Sequence, residues 1–266
     1  MRITLIAALL AGLATAAPAE EKAAAPLQPS ERWEVMRADV VGDAEIRDGS
    51  GLYAFEAPFR AYDAAMVPLH IIQAPGAPDV ARLTIVIDEN PAPVAAEFDF
   101  GPGMQPLDLE LRVRVDAYSN VRAIVETVDG ETYMTGGFVR ASGGCSAPAL
   151  KDQAASMAAL GEMKLRLLEA APAQSGVRRT AQVMLRHPNY SGLQMDQVSQ
   201  LYIPAKFVDS LELRQGDQTL FTMSGGISIS EDPTFRFAYT ETGAGLSLHA
   251  TDTDGGVFEQ SFPAGM

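Results

Sequence analysis

From Leu107 to Asp116 the chain alternates without a break: Leu107, Leu109, Leu111, Val113 and Val115 are apolar, and Asp108, Glu110, Arg112, Arg114 and Asp116 are charged. Successive side chains of a strand point to opposite faces, so this pattern dictates a β-strand with one apolar and one charged face. A helix built from the same residues would spread charge around its whole circumference. Such a strand needs neighbours to pair with and a second layer over its apolar side. The rest of the chain supplies both. Leu83, Ile85 and Ile87 repeat the alternation, and Asp129-Gly130 between 121–128 and 131–139 is a hairpin signal. Further on, Val183 and Leu185 alternate, as do Leu211 and Leu213. Gln215-Gly216-Asp217 and Asp254-Gly255-Gly256 mark turns, and Phe235, Phe237 and Tyr239 form an aromatic stripe suited to a core.

Helical signals are sparse. Leu150, Ala154, Met157, Ala158 and Leu160 are spaced for one short amphipathic helix closed by Gly161, and Met163, Leu165 and Leu167 then read as a strand. Residues 170–177 have linker composition, and before Cys145 only a short turn around 30–36 is indicated. The expected fold class is mainly β: two β-sandwich domains, 31–145 and 178–266, joined by a helix-containing linker at 146–177. Residues 20–30, rich in Ala, Pro and Glu, read as a disordered lead-in.

The N-terminus has a different character. Arg2, an apolar run over 3–13 and the sites Ala14-Thr15-Ala16 and Ala17-Pro18-Ala19 predict a cleaved secretory signal over 1–19, too short to span a bilayer. The expected location is periplasmic. The chain has 20 Lys+Arg against 34 Asp+Glu, a net charge of −14, which disfavours nucleic acid and anionic membrane as partners.

Export sharpens the question of the single cysteine, because exported proteins usually carry cysteines in pairs or not at all. Cys145 lies in Ala141-Ser142-Gly143-Gly144-Cys145-Ser146-Ala147-Pro148. The glycines before it and the proline after it predict an exposed, flexible loop with an accessible thiol. An accessible thiol also predicts a disulfide-linked dimer through Cys145. The charges nearest in sequence that could lower its pKa are Arg140 and Lys151.

No other constellation carries chemistry. His70, His187 and His249 sit in separate segments outside any metal or nucleophile motif, so no catalytic residue, metal site or cofactor is expected. Asp252-Thr253-Asp254-Gly255-Gly256 opens like a calcium loop, but its twelfth position is Pro263 where a bidentate Glu is needed. It reads as a hairpin turn. Asn189-Tyr190-Ser191 matches a glycosylation sequon, a pattern common by chance.

The ordered segments resemble a known family. Gly143-Gly144-Cys145 following Asp129-Gly130-Glu131-Thr132-Tyr133, with Ala65-Met66-Val67-Pro68-Leu69 and Asp88-Glu89-Asn90-Pro91-Ala92-Pro93 earlier, resembles the Y subunit of the Sox thiosulfate-oxidising system. The second half resembles the Z subunit through Arg186-His187-Pro188-Asn189-Tyr190-Ser191-Gly192, Tyr202-Ile203-Pro204-Ala205-Lys206-Phe207-Val208, Gly225-Gly226-Ile227-Ser228-Ile229-Ser230 and Asp232-Pro233-Thr234-Phe235-Arg236-Phe237. The order is similar to fused SoxYZ-like carriers associated with quinoprotein dehydrogenases. The resemblance implies immunoglobulin-like sandwiches and a non-enzymatic carrier bearing a sulfur-containing or other thiol-linked intermediate on Cys145, within the loop of Gly143 and Gly144. Implied partners are Sox-type enzymes, a quinoprotein dehydrogenase or a c-type cytochrome. A second reading is a non-covalent adaptor for a quinoprotein alcohol dehydrogenase or its cytochrome. Unlike a Y subunit, whose cysteine lies near a free C-terminus, this chain continues past Cys145, which predicts a shorter reach.

Overall fold

The computed structural model describes residues 24–148, 153–168 and 178–264. The predicted signal segment 1–19 lies outside them, as do Leu150 and Lys151 and the linker at 170–177. The first half contains α1 (Glu31–Val41), β1 (Ile46–Asp48), β2 (Tyr53–Glu56), β3 (Val67–Gln73), β4 (Val80–Ile87), β5 (Val94–Phe100), β6 (Asp108–Val113), β7 (Ser119–Thr127) and β8 (Thr132–Val139). After α2 (Gln153–Ala158) come β9 (Met163–Leu168), β10 (Arg178–Leu185), β11 (Val208–Gln215), β12 (Gln218–Gly225), β13 (Thr234–Thr240), β14 (Leu246–Asp252) and β15 (Val257–Phe262).

The fold is mainly β, two immunoglobulin-like sandwiches, but they do not stand apart. One nine-stranded sheet runs β1-β8-β7-β4-β5-β12-β11-β14-β15 and one six-stranded sheet runs β2-β3-β6-β13-β10-β9. The halves join in both layers, where β5 pairs antiparallel with β12 and β6 with β13. The seam gives those strands neighbours across the halves, so their backbone groups are paired rather than left as open edges. A single apolar cluster fills the space between the sheets along both halves. At the junction Phe98 packs within 6.0 Å, centroid to centroid, of both Phe221 and Phe235. The aromatic stripe Phe235, Phe237, Tyr239 is buried core, as its alternation requires.

Four expectations need correction. The strand read at Met163, Leu165 and Leu167 is β9. It pairs with β10, so it belongs to the second sandwich and not to a linker over 146–177. The turn read around 30–36 is an 11-residue helix, α1, whose Ser30 side chain accepts from Trp33 N at 3.1 Å. Only Trp33 of that helix is buried, packed on Val86 and Ile124 beneath the Arg122 guanidinium, so no apolar stripe announced it. Residues 24–30, read as a disordered lead-in, lie along the sheet: Ala25 O accepts from Phe138 N, and Gln28 exchanges hydrogen bonds with Asn120. Finally, Arg114 alternates onto the charged face of its strand yet is buried at 1% exposure, because the second half covers it.

A clasped cysteine between the two halves

The loop after β8 brings Cys145 back beneath the end of β6. Gly143 N donates to Asp116 O at 2.7 Å, Gly144 N to Val115 O at 3.1 Å and Cys145 N to Asp116 Oδ1 at 3.1 Å. The two glycines have different structural reasons. Gly143 sits at φ +76°, in the left-handed region that glycine enters without steric cost. At Gly144 a Cβ would lie 2.1 Å from Ala64 O and 2.6 Å from Val115 O, so only a hydrogen fits against that backbone. The glycines therefore seat the loop tightly.

The sulfur is consequently hidden. Cys145 has 0% exposure, which overturns the expected accessible thiol. Burial is the largest effect on the thiol, the Asp116 carboxylate adds to it, and the Arg114 guanidinium opposes both. Together they push its pKa up to about 12. Glycine density suggested flexibility, whereas close backbone approach is the physical use made of it here. A sulfur so enclosed cannot form an intermolecular disulfide unless the loop moves.

The second half closes the site. Ser191 Oγ donates to Cys145 O, and Gln194 Nε2 donates to Ala147 O at 3.1 Å. Arg114 donates to Gly144 O at 3.2 Å and to Asn189 O at 3.3 Å. Asn90 Nδ2 donates to Arg114 O and to Ser228 Oγ, both at 2.8 Å, while its Oδ1 accepts from Asp116 N at 2.8 Å. Arg114 N donates to Ser228 O at 2.7 Å, and Ser230 Oγ to Ala65 O at 2.7 Å. The segments around Ala65, Asn90, Asn189 and Ser228, scattered over more than 160 residues of sequence, thus converge on one loop.

Behind Asn189 lies a buried polar chain. Asn189 N donates to His187 Nδ1 at 3.0 Å, so His187 Nε2 carries the proton toward Asp252 Oδ2 at 3.2 Å. Lys206 Nζ reaches the same oxygen at 2.8 Å. Burial lowers the His187 pKa below its ordinary value, and the hydrogen bonds to Asp252 and Asn189 only partly counter it. Asp252 is held at about 2: burial alone would raise it, but Lys206, the Gly256 and Asp254 N–H groups and His187 outweigh that effect. The Asp252–Gly256 segment is a hairpin turn as expected, with its aspartate also serving as the anchor of this network. Asn189, at 0% exposure, spends its side chain on Val208 N and Ile229 O, so the sequon is an internal structural feature.

Sequence reasoning missed Arg114 as the cation at the sulfur. Arg140, the nearer in sequence, instead lies 4.6 Å over the Phe59 ring. His70 pairs with Glu56 and Asp108, and His249 with Glu259, in contacts that do not involve the Cys145 loop. No group of three His, Cys, Asp or Glu able to hold a metal occurs among the described residues, nor is any helix of these long and apolar enough to cross a membrane.

This geometry defines a tandem β-sandwich protein whose single cysteine loop is seated on one half and clasped by the other. Residues 37–145 match the family model of sulfur oxidation protein SoxY, ending on Cys145, and residues 166–263 match that of sulphur oxidation protein SoxZ. The chain belongs to the fused SoxYZ-like sulfur carriers, with a SoxY and a SoxZ domain in one polypeptide. The sulfur carrier protein SoxY from Chlorobium limicola f thiosulfatophilum is similar at 26% identity, covering 41% of this chain and 94% of that one, with a TM-score of 0.35. A glycosyl hydrolase family 2 member from Bacteroides cellulosilyticus DSM 14838 is matched at 6% identity and a TM-score of 0.22, covering 76% of this chain and 25% of that one. The two family matches carry the assignment. A comparison with curated proteins finds no match.

Proposed function

We propose that this protein is an exported, non-enzymatic carrier that holds its intermediate covalently on Cys145 and shelters it between deliveries. The observation that supports this reading is the position of Cys145: the SoxY match ends on it, and hydrogen bonds from both halves converge on its loop. The chemistry is thiol exchange. Attack by the Cys145 thiolate on the outer sulfur of a partner's persulfide transfers that sulfur and releases the partner as a thiolate, with no external electrons required. A thiosulfonate or mixed disulfide forms by the same displacement. Since the resting sulfur is buried and protonated, loading requires the loop to leave its seat. Val198, Leu201 and Tyr202, exposed on the segment that also carries Ser191 and Gln194, offer a partner the surface through which to pull the clasp away. Sox-type enzymes are the first partners to test, a quinoprotein dehydrogenase or its cytochrome the next. The predicted signal over 1–19 supports a periplasmic location.

Intact mass of protein taken from the native host, with and without reductant, is the test. A reductant-sensitive increment mapped to Cys145 is the expected result, and a Cys145→Ser variant should lose the associated oxidation pathway. An unmodified thiol throughout growth, together with a fully functional Cys145→Ser strain, would reassign the chain as a non-covalent adaptor.

A further inference from the structure

Arg114 is the least expected charge in this protein. Its side chain is among the largest fully buried ones, at 1% exposure. Two carbonyl oxygens, of Gly144 and Asn189, accept from its terminal nitrogens, and its buried Nε has no acceptor among the described residues. No carboxylate is in ion-pair contact with it there. Carbonyl dipoles offset only part of the cost of enclosing a full positive charge, and an unmet buried donor adds to that cost. A leucine or methionine would avoid both costs, but would leave the Gly144 and Asn189 carbonyls without this donor. The guanidinium acts electrostatically on the Cys145 sulfur, and Asp63 and Glu231 act on it in turn.

We propose that Arg114 is a positioning residue that recognises a negative charge on the cargo of Cys145, so that an anionic adduct holds the loop closed more firmly than a neutral one. The inference rests on the carrier reading of Cys145. At the bare sulfur, burial and Asp116 prevail over Arg114, so the empty carrier stays a neutral thiol that leaves Arg114 unmatched. An adduct that ends in a strongly acidic group, such as a sulfonate, cannot become neutral by taking up a proton near neutral pH. Inside the clasp its favourable partner is Arg114, whose planar fork of donors suits an oxoanion.

A matched pair of adducts tests this. The full-length mature protein is alkylated to completion at Cys145 in denaturant, where the thiol is accessible, with iodoacetate or with iodoacetamide, and then refolded, giving adducts of nearly equal size, one anionic and one neutral. Amide hydrogen exchange is then followed in the peptide spanning Cys145. Exchange should be about tenfold slower in the carboxymethyl protein than in the carboxamidomethyl protein, the scale of one charge-assisted hydrogen bond. The ratio should fall to about one in Arg114→Gln and survive in part in Arg114→Lys. A merely structural role for Arg114 would change both adducts alike. Equal exchange of the two wild-type adducts, or an undiminished ratio in Arg114→Gln, overturns the proposal. Should Arg114→Gln fail to fold, the wild-type pair decides alone. Both adducts are made in vitro, so failure here leaves the carrier reading intact, and an unmodified Cys145 in the host leaves this ratio intact.

Discussion

With a pKa of about 12 and no solvent exposure, the Cys145 thiol should be nearly inert in the folded chain. Only a thiolate alkylates, and an unfolded cysteine ionises near about 8.5. Iodoacetamide at pH 8 should therefore modify the native protein at least about a hundredfold more slowly than the protein in denaturant. Comparable rates would mean that the loop spends its time out of its seat. Gly144→Ala probes the seat itself. Its new Cβ would meet the Ala64 and Val115 carbonyls, backbone atoms that cannot swing aside. A loss of about 2 kcal/mol in stability is expected, together with faster alkylation, because relief of the clash displaces the loop. Denaturant titration reads the first effect and alkylation kinetics the second. A Gly144→Ala protein with wild-type behaviour in both would contradict the packing described.

The segment from His187 to Gln194 is the element that covers the cysteine, and its attachment responds to pH. Burial depresses the His187 pKa, with Asp252 and Asn189 pulling the other way without prevailing. Near pH 6 an unfolded histidine binds more protons than this one, so stability rises with pH there. The contribution is complete above about pH 6.5, the ordinary histidine value, and is lost as pH falls. His70 works in the opposite sense. Burial is its largest single influence, but hydrogen bonds to Asp108 and Glu56 outweigh it and raise the pKa, so its contribution fades as pH rises above the ordinary histidine range. The two are separated by comparing His187→Gln, which retains a donor toward Asp252, with wild type. Its thermal midpoint should fall less between pH 7 and pH 5 than that of wild type. An equal fall in both proteins would remove His187 from the account.

Across the whole molecule, continuous sheets and a shared core predict cooperativity. The β5–β12 and β6–β13 pairings cross between the halves, and Phe221 packs against Phe98, Phe100, Phe235 and Phe237 at that seam. Calorimetry should show a single unfolding transition for the chain. Phe221→Ala should lower that transition by about 3–5 kcal/mol without splitting it. Two transitions, with only one moved by the substitution, would mean that the halves fold independently.

Much of this protein was decided locally. Alternation at Leu107–Val115, Asp-Gly turns and the stripe Phe235, Phe237, Tyr239 determine strands whatever surrounds them, because a period of two and a left-handed turn are properties of a few adjacent residues. The sequence alone also singled out Cys145 and its glycines, since one cysteine in a chain read as exported is conspicuous. It could not say whether that cysteine faces solvent. Gly143-Gly144 serves flexibility or close packing equally well, and the choice depends on the Ala64 and Val115 carbonyls, whose contact with residue 144 no local pattern announces. Arg114 was hidden for the same reason: local periodicity assigns it to a charged face, while Ser228 and Asn189, more than 70 residues away, turn that face inward. The joining of two sandwiches into shared sheets was likewise a matter of which edges meet. Burial and edge pairing are set by long-range contacts, so only the tertiary structure decided that this carrier's sulfur rests closed, beside a buried cation.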